Sequence, residues 1–321
     1  MSTPRQSGVR VLLLSNGVTS AERQCLGLLR ALWPDLTRAS ADVQLLRVAD
    51  WRSPAARLMR LLPAAVHVLA GSRFAGVDVA AIAAQADAAQ REGLLTLLVA
   101  CGRDTVAASV AVRAASRAVI AVQLLHPRVP LSAFDLCIVP AHDNVAPDAR
   151  QVHRTLGVLH DLDAANLAAA RVCWTGALSS KPRPLVACLV GAPTANCPYD
   201  CASLSRDVAA LAADVERSGG CLSICPSRRT PPSLLSALRW AVMGVCSASF
   251  VPLHGEGNTY AGLLAWCDEL VVTADSISMV SEAVSTVRRT ALLASADALT
   301  EVALLLIGSG RKLAGIGLRA R

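Results

Sequence analysis

The sequence predicts an α/β protein of two doubly wound, Rossmann-like domains, and three observations support this fold class. The chain has 321 residues, more than the roughly 100 to 200 residues of a typical domain. Short apolar runs alternate with helical patterns, as expected of parallel βαβ units. The alternation restarts after a proline-rich break, KPRP, at residues 181–184. We therefore predict domains at residues 1–160 and 184–321, joined by a connection at residues 161–183.

In the first domain, the apolar run at residues 9–14 predicts a strand, SNG a turn, and residues 20–32 a helix that ends before Pro34. The remaining predicted strands are residues 43–48, 94–101, 119–125 and 134–139, and the remaining helices are residues 79–91 and 105–116. Because strand and helix alternate, the sheet should be parallel with helices on its faces.

The second domain shows the same alternation. Its predicted strands are residues 185–190, 222–225, 250–253, 270–273 and 291–293, and its predicted helices are residues 204–217, 233–243, 260–266 and 276–285. In an open parallel sheet, ligands bind beyond the carboxyl ends of the strands. The junctions between a strand and the next helix are therefore the places to search for a site.

Composition argues against several functions. The formal net charge is +7, but only 17% of residues are charged, and the arginines are scattered without interleaved aromatic residues, so we expect no nucleic-acid binding.

The longest stretches without charge, such as residues 184–199 and 240–255, contain proline and are shorter than the roughly 20 apolar residues of a membrane span. The N-terminal apolar segment is too short for a secretory signal, and Glu22 follows too soon for a transit peptide. We expect a cytosolic protein without a transmembrane segment.

The chain has eleven cysteines, and their best metal-binding pattern is Cys197, Cys201, Cys221 and Cys225. Strand positions four apart are separated by roughly 13 Å, too far for Cys221 and Cys225 to share one ion at ~2.3 Å. We therefore predict that no metal is bound. Most cysteines stand in apolar runs and should be buried free thiols, as in a reducing compartment.

The stretch VVTADSISMVSEA, residues 271–283, passes from a predicted strand into a predicted helix. Its first polar side chains are those of Thr273, Asp275, Ser276 and Ser278. They could face a ligand at the positive end of the helix dipole, although Asp275 or Ser276 would also serve as a helix N-cap. Glu282 lies about two turns into the helix, on the side of Ser278. It could accept hydrogen bonds from sugar hydroxyls, or it could be a solvated helix residue.

Two further junctions of the second domain have polar residues. CPSRRTPPS contains Ser227, Arg228, Arg229 and Thr230. The two guanidinium groups suit phosphate or carboxylate, or they form a solvated pair beside a capping threonine. HGEGNTYAG contains Asn258 and Tyr260, with glycines that allow a close backbone approach. Because both segments follow apolar runs, we expect residues 227–230 and 275–282 to lie on the same rim of the second sheet.

The first domain has one comparable junction, ACGRDT, with Gly102, Arg103 and Asp104. The alternative interpretation is an adjacent salt-bridged pair. Two histidines lie near strand ends in HPR and AHDN, but a lone histidine is commonly a hydrogen-bonded structural residue. No Ser-His-Asp order, P-loop or GxGxxG motif is present, so no residue is assigned a catalytic role.

Several segments, in order from residue 9 to residue 286, resemble the plant and algal ELONGATED MITOCHONDRIA proteins, mitochondrial fission factors with bacterial relatives. They are SNGVTSAERQCLGLLRAL, ACGRDT, VQLLHPRVPLSAFDLCIVPAHDN, LVGAPTANC, PSRRTP and NTYAGLLAWCDELVVTADSISMVSEAVST. The most specific parts are SRRTP and TADSISMVSEA.

This resemblance implies a peripheral protein on the cytosolic face of the mitochondrial outer membrane, which helps to recruit dynamin-related GTPases. It also implies a fold similar to the two-domain GT-B glycosyltransferases, with the junction motifs around the interdomain cleft. No catalytic activity and no cofactor are known for the family. After SEAVST the family continues with a glycine, a basic residue and a proline, whereas this chain reads VRRTALL. We therefore expect the second domain to be atypical or incomplete after residue 286.

Two functions are compatible with the sequence. The first is an adaptor for mitochondrial division. The alternative is a GT-B-like protein that binds a nucleotide sugar, or a glycosyltransferase, with Arg228 and Arg229 at the phosphates and Glu282 at the ribose. The polar junctions favour ligand binding, but without an identifiable base they do not indicate catalysis.

Overall fold

The computed structural model describes residues 8–33, 42–48, 66, 76–143, 150–194, 197–251, 259–286 and 289–293. The chain divides into two compact units, residues 1–161 and residues 162–321. Each unit has its own parallel sheet.

The first unit contains a six-stranded sheet. Its strands are β1 (Val9–Ser15), β2 (Asp42–Arg47), β3 (Leu95–Cys101), β4 (Val119–Leu124), β5 (Leu136–Pro140) and β6 (Val152–Thr155). Its helices are α1 (Thr19–Leu32), α2 (Val79–Arg91) and α3 (Val106–Ala115), with 3-10 turns at Arg103–Thr105 and Leu131–Ala133. The strand order is β2-β1-β3-β4-β5-β6, and every neighbouring pair is parallel.

Both faces of this sheet are covered by helices. On one face, Leu28 and Leu29 of α1 pack with Val11 of β1. On the other, Ile82 of α2 packs with Leu12, the next residue along β1. Successive strand residues point to opposite faces, so a strand buried on both sides must be apolar at nearly every position.

The second unit contains a five-stranded sheet. Its strands are β7 (Leu185–Val190), β8 (Cys221–Pro226), β9 (Ala248–Phe250), β10 (Glu269–Thr273) and β11 (Arg289–Leu293). Its helices are α4 (Ala164–Cys173), α5 (Thr175–Leu178), α6 (Cys201–Arg217), α7 (Pro232–Ala241), α8 (Thr259–Trp266) and α9 (Ile277–Ser285). The order is β11-β10-β7-β8-β9, again with parallel neighbours.

Strand β7 is the centre of this sheet, and all six of its residues are buried. Leu185 and Leu189 pack in the apolar cluster that includes α8 and α9, whereas Val186 and Val190 pack in the cluster that includes α6 and α7. The second unit is therefore also doubly wound, and the predicted fold class is confirmed for both units.

Helix α6 has 17 residues, with buried apolar positions on one face and charged positions on the other. Its apolar spacing places Leu204, Val208, Ala212 and Val215 toward the sheet. Within the described ranges, no helix combines the length and apolar character needed to cross a bilayer.

The structure contains elements that the sequence patterns did not indicate. Strand β6 reads VHRT and has no buried residue, so it lacks the apolar run by which a central strand is recognised. Helix α4 has no buried residue either and begins after Asp163, whose carboxylate accepts the amide N–H of Asn166 at 2.7 Å. Strand β9 is Ala248–Phe250, because its pairing with β8 begins at Ala248, whereas the predicted strand was 250–253. Residues 252 and 253 of that prediction lie outside the described residues.

All eleven cysteines are free thiols. Eight are buried: Cys25, Cys101, Cys137, Cys188, Cys197, Cys221, Cys225 and Cys267. Burial raises the pKa of the Cys137 thiol to about 11 and that of the Cys188 thiol to about 12. Burial as small apolar side chains is therefore confirmed for most of these residues, whereas Cys173 and Cys246 are exposed.

The four cysteines of the possible metal pattern lie on both sides of the second sheet. Cys197, Cys221 and Cys225 belong to the cluster on one face, and Cys201 packs against the cluster on the other. In the described parts of the chain, no group of three or more histidine, cysteine or acidic side chains is placed to hold a metal ion. The absence of a bound metal stays a prediction.

The burial pattern predicts two classes of thiol reactivity. With Ellman's reagent at mildly alkaline pH, Cys173 and Cys246 should react rapidly because solvent reaches them, whereas the buried thiols should react only after unfolding in guanidinium chloride. Stopped-flow absorbance measures the amplitude of each phase. The Cys173→Ser/Cys246→Ser variant should lose most of the fast phase, with any remainder arising from the partly exposed Cys201. A fast phase that persists after a further Cys201→Ser change would contradict the burial of the other eight thiols.

Candidate functional site

The carboxyl edge of the second sheet brings together three loops that are distant in sequence. Strand β7 lies between β10 and β8, and all three strands run in the same direction. The loops that follow them begin at Gly191, Ser227 and Ala274 and therefore meet at one edge, here called the second-unit rim. The expectation that residues 227–230 and 275–282 share a rim is confirmed.

An ion pair crosses this rim. Arg229 Nη2 lies 3.2 Å from Asp275 Oδ2. The Asp275 side chain is 0% exposed, whereas that of Arg229 is 53% exposed. The guanidinium therefore neutralises a buried carboxylate on one side and faces solvent on the other. This contact joins the loops after β8 and β10 across the end of β7.

The Asp275 carboxylate also receives hydrogen bonds from uncharged donors. Oδ2 accepts the amide N–H of Ala192 at 3.0 Å, and Oδ1 accepts the hydroxyl of Thr273 at 2.7 Å. The Thr273 hydroxyl in turn accepts the amide N–H of Gly191 at 2.8 Å. A buried charge is tolerated when it is paired and hydrogen-bonded, and Asp275 meets both conditions.

Gly191 is required by the closeness of this carboxylate. A Cβ atom added at residue 191 would overlap both oxygens and Cγ of Asp275. The need for glycine thus arises from a side chain 84 positions away. No local turn pattern in the sequence indicates it.

The SRRT segment is a turn held by its own hydroxyl groups. The Thr230 hydroxyl donates to the carbonyls of Val190 and Gly191, at 2.9 Å each, and accepts the amide N–H of Ser227 at 2.9 Å. The Ser227 hydroxyl accepts the amide N–H of Arg229 at 3.2 Å. Ser227 and Thr230 are therefore engaged within the protein, and they position the two arginine side chains at the rim.

Two of the three helices that begin at the rim have a capping side chain. Asp275 and Ser276 were both possible caps of α9. Ser276 is the cap, and Asp275 forms the ion pair. Asp200 caps α6 by accepting the amide N–H groups of Ala202 and Ser203. Helix α7 begins at Pro232 with Pro231 at its N-cap, and neither proline has an N–H to donate.

Glu282 is buried rather than solvated. It is 6% exposed, and its Oε2 accepts the hydroxyl of Tyr260 at 2.5 Å. The interpretation as a solvated helix residue is therefore wrong. Contact with a sugar hydroxyl stays a prediction. Ser278 is partly exposed on the same helix, and Asn258 lies outside the described residues.

Tyr199 is a rim residue that sequence reasoning missed. It follows β7 and directly precedes the α6 cap residue, Asp200. Its ring packs against the clusters on both faces of the sheet, and its hydroxyl oxygen is buried. The CPYD segment gives no sign of this, because tyrosine beside a helix cap is ordinary loop chemistry.

The first-unit candidates lie beyond the carboxyl end of β3. Gly102 has φ of 81°, a left-handed conformation that favours glycine. Asp104 Oδ2 accepts a hydrogen bond from Asn16 Nδ2 at 3.3 Å, which joins the loops after β1 and β3. Arg103 is exposed. Gly102, Arg103 and Asp104 thus belong to the first unit, and the remaining candidates belong to the second.

Sequence comparison provides a family match. The model described as mitochondrial fission ELM1 matches residues 20–311. The mitochondrial fission protein ELM1 of Arabidopsis thaliana is 30% identical over 336 residues, an alignment that covers 86% of this chain and 77% of that protein. The predicted resemblance is therefore confirmed.

Solved structures share the fold at low identity. The UDP-GlcNAc 2-epimerase of Methanocaldococcus jannaschii is 10% identical, with a TM-score of 0.55 over 96% of this chain and 93% of that chain. A glycosyltransferase of Rickettsia africae is 7% identical, with a TM-score of 0.51 over 89% and 79%. The S. aureus MnaA–UDP co-structure is 10% identical, with a TM-score of 0.50 over 88% and 78%. These similarities show the fold alone, which is GT-B-like.

The closeness of Gly191 to Asp275 predicts a specific pattern of coupled substitutions. Gly191→Ala should lower the free energy of unfolding by about 1–3 kcal/mol, because the added methyl displaces the carboxylate. The same change should cost less in an Asp275→Ala background, where the overlap is gone. Urea denaturation of the four variants measures this coupling. Gly176→Ala, at a helical glycine with open space around it, is the matched control. Equal costs of Gly191→Ala in both backgrounds would contradict the proposed overlap.

Proposed function

The chain belongs to the mitochondrial fission ELM1 family, and on this premise we propose that it is an adaptor in mitochondrial division. It acts on the cytosolic face of the mitochondrial outer membrane as a peripheral protein and helps to recruit dynamin-related GTPases. The observation that carries the proposal is the 30% identity to the Arabidopsis thaliana fission protein across 86% of this chain. The family description supports a role in fission, and recruitment is the step that we add.

The chemistry of the second-unit rim is consistent with association rather than catalysis. A general base needs a lone pair that can reach the substrate's proton. The Asp275 carboxylate is buried and already accepts from Arg229, Ala192 and Thr273. The Glu282 carboxylate is buried and accepts from Tyr260. Among the described residues of the second unit, neither of these two acidic side chains is thus well placed as a base, and this favours the adaptor.

The adaptor proposal predicts rescue of cells that lack the endogenous family protein. Expression of this chain should restore normal mitochondrial length and increase the amount of dynamin-related GTPase on mitochondria. Fluorescence microscopy measures the length, and co-precipitation from detergent-solubilised mitochondria measures the association. Elongated mitochondria despite folded, expressed protein would refute a role in fission. Rescue without any gain of GTPase on mitochondria would refute recruitment.

A second candidate function is binding of a nucleotide sugar at the second-unit rim. The specific observation is the half-exposed side chain of Arg229, which the buried carboxylate of Asp275 holds beyond the end of β8. The neighbouring residue, Arg228, is also exposed. Such fork-shaped donors suit phosphate groups. The S. aureus MnaA structure, which shares the fold, is a complex with UDP by its description. The ligand that we propose is therefore a nucleoside diphosphate or its sugar ester.

The nucleotide proposal predicts loss of binding in the Arg228→Ala/Arg229→Ala variant. Each charge-assisted hydrogen bond contributes roughly 1.5–3 kcal/mol, so affinity for UDP-GlcNAc should fall at least about 10-fold. Isothermal titration calorimetry measures the affinity. Arg217→Ala is the matched control, because it removes an exposed arginine from the last turn of α6. Unchanged affinity in the double variant would refute this site.

The Arg228→Ala/Arg229→Ala variant should also be less stable than the wild-type protein. Removal of Arg229 leaves the buried Asp275 carboxylate with only its uncharged donors, which should cost about 1–2 kcal/mol. Arg229→Lys keeps the positive charge and separates loss of the ion pair from loss of ligand contacts. Mitochondrial length in cells that express the double variant then reports whether fission requires ligand binding.

A further inference from the structure

We propose that the hydroxyl of Tyr199 is a ligand-binding group of the second-unit rim, where it donates a hydrogen bond to a phosphoryl oxygen that Arg229 also holds. This inference rests on the proposed nucleotide binding at that rim and assigns a specific residue to it. The shared chemistry is a phosphoryl group, whether it belongs to a nucleotide or to free phosphate.

The Tyr199 hydroxyl lacks a hydrogen-bond partner within the described structure. Its oxygen is buried, and no described donor or acceptor lies within hydrogen-bonding distance. Native proteins pair nearly all buried polar side-chain atoms with protein groups or water, so each exception needs a physical explanation. A role of this hydroxyl in ligand binding would provide one.

Tyr199 belongs to the same rim as the ion pair. It lies in the loop that follows β7, and the neighbouring strands β8 and β10 precede the loops that contain Arg229 and Asp275. The Tyr199 ring packs against apolar clusters on both faces of the sheet. Burial raises the pKa of Tyr199 well above its usual range, and the charge of Asp275 adds to this effect while that of Arg229 opposes it. The phenol thus stays protonated at neutral pH and can donate.

No acceptor for this proton lies within hydrogen-bonding distance in the described rim. The Asp275 carboxylate already receives two hydrogen bonds at Oδ2, from Arg229 and Ala192, and one at Oδ1, from Thr273. Arg229 binds Asp275 through Nη2, and its side chain remains half exposed. A phosphoryl group beside that exposed side could accept from the guanidinium and, once the Tyr199 side chain moves to expose its buried hydroxyl, from the phenol as well.

Side-chain donors can complement the backbone donors of this rim. Many phosphate sites use free N–H groups at a helix N-terminus. At this rim, Asp200 accepts the N–H groups of Ala202 and Ser203 at the start of α6, and Pro232, the first residue of α7, has no N–H. The unpartnered Tyr199 hydroxyl and the exposed side of Arg229 would each add a side-chain donor for a phosphoryl ligand.

The test uses Tyr199→Phe in the full chain, with calorimetric titration and thermal denaturation. The probes are UDP, inorganic phosphate and uridine, which lacks a phosphoryl group. We expect wild-type protein to bind UDP but not uridine, and Tyr199→Phe to weaken UDP binding roughly 10-fold. Without ligand, the variant should melt at the same temperature or higher, because it loses an unpartnered buried hydroxyl and keeps the ring.

Tyr260→Phe is the matched control, since Tyr199 and Tyr260 are the two tyrosines of the chain. The Tyr260 hydroxyl donates to buried Glu282, so its removal should lower the melting temperature of the unliganded protein. The two variants thus have opposite expected effects on stability. If the Tyr199 hydroxyl had a purely structural role, Tyr199→Phe would lower the melting temperature of the unliganded protein, as Tyr260→Phe should.

The outcomes separate the inference from the function on which it rests. If wild-type protein binds neither UDP nor phosphate, nucleotide binding itself is refuted. If wild-type protein binds UDP and Tyr199→Phe binds it equally well, the proposed role of Tyr199 is overturned. The proposed role is also overturned if the unliganded variant unfolds or melts at a clearly lower temperature than wild type. UDP binding tighter than phosphate binding identifies a nucleotide as the source of the phosphoryl group, and equal binding identifies free phosphate.

Discussion

The buried carboxylate of Asp275 is the constraint on which the second-unit rim depends. Burial of a charge costs several kcal/mol unless donors replace the lost water. Here the replacement comes from Arg229, from the amide N–H of Ala192 and from the hydroxyl of Thr273. These donors belong to the ends of three neighbouring strands, so one side chain fixes the relative positions of three loops. Its closeness also restricts residue 191 to glycine.

The order of the strands makes this arrangement possible. Strand β7 is the first strand of the second sheet in sequence but occupies its centre, with β10 on one side and β8 on the other. Because all three are parallel, residues that are 84 positions apart, Gly191 and Asp275, meet at one edge. The same topology places the beginnings of α6, α7 and α9 there. Asp200 caps α6 and Ser276 caps α9, whereas α7 has no side-chain cap and begins at Pro232.

The sequence predicted what local patterns determine. The apolar run at 185–190 became a fully buried central strand, and the helix at 79–91 has the predicted bounds. Proximity across the sheet was harder to foresee. Nothing near Tyr199 indicates that its hydroxyl would be buried without a partner, and nothing near Glu282 indicates burial against Tyr260. Both features depend on packing between elements distant in sequence, which residue spacing does not encode.

The preformed rim has a consequence for the link between ligand and fission. Arg229 is already held by Asp275 through one nitrogen, so a ligand can contact its exposed side without breaking the ion pair. A ligand shifts a conformational equilibrium only by its difference in affinity for the two states. Contact with the guanidinium needs no rearrangement, and contact with the buried Tyr199 hydroxyl needs a movement of that side chain only, so binding supplies little such difference within this unit. Ligand occupancy should therefore stabilise the second unit rather than switch it, which favours an adaptor whose activity in division does not depend on the ligand.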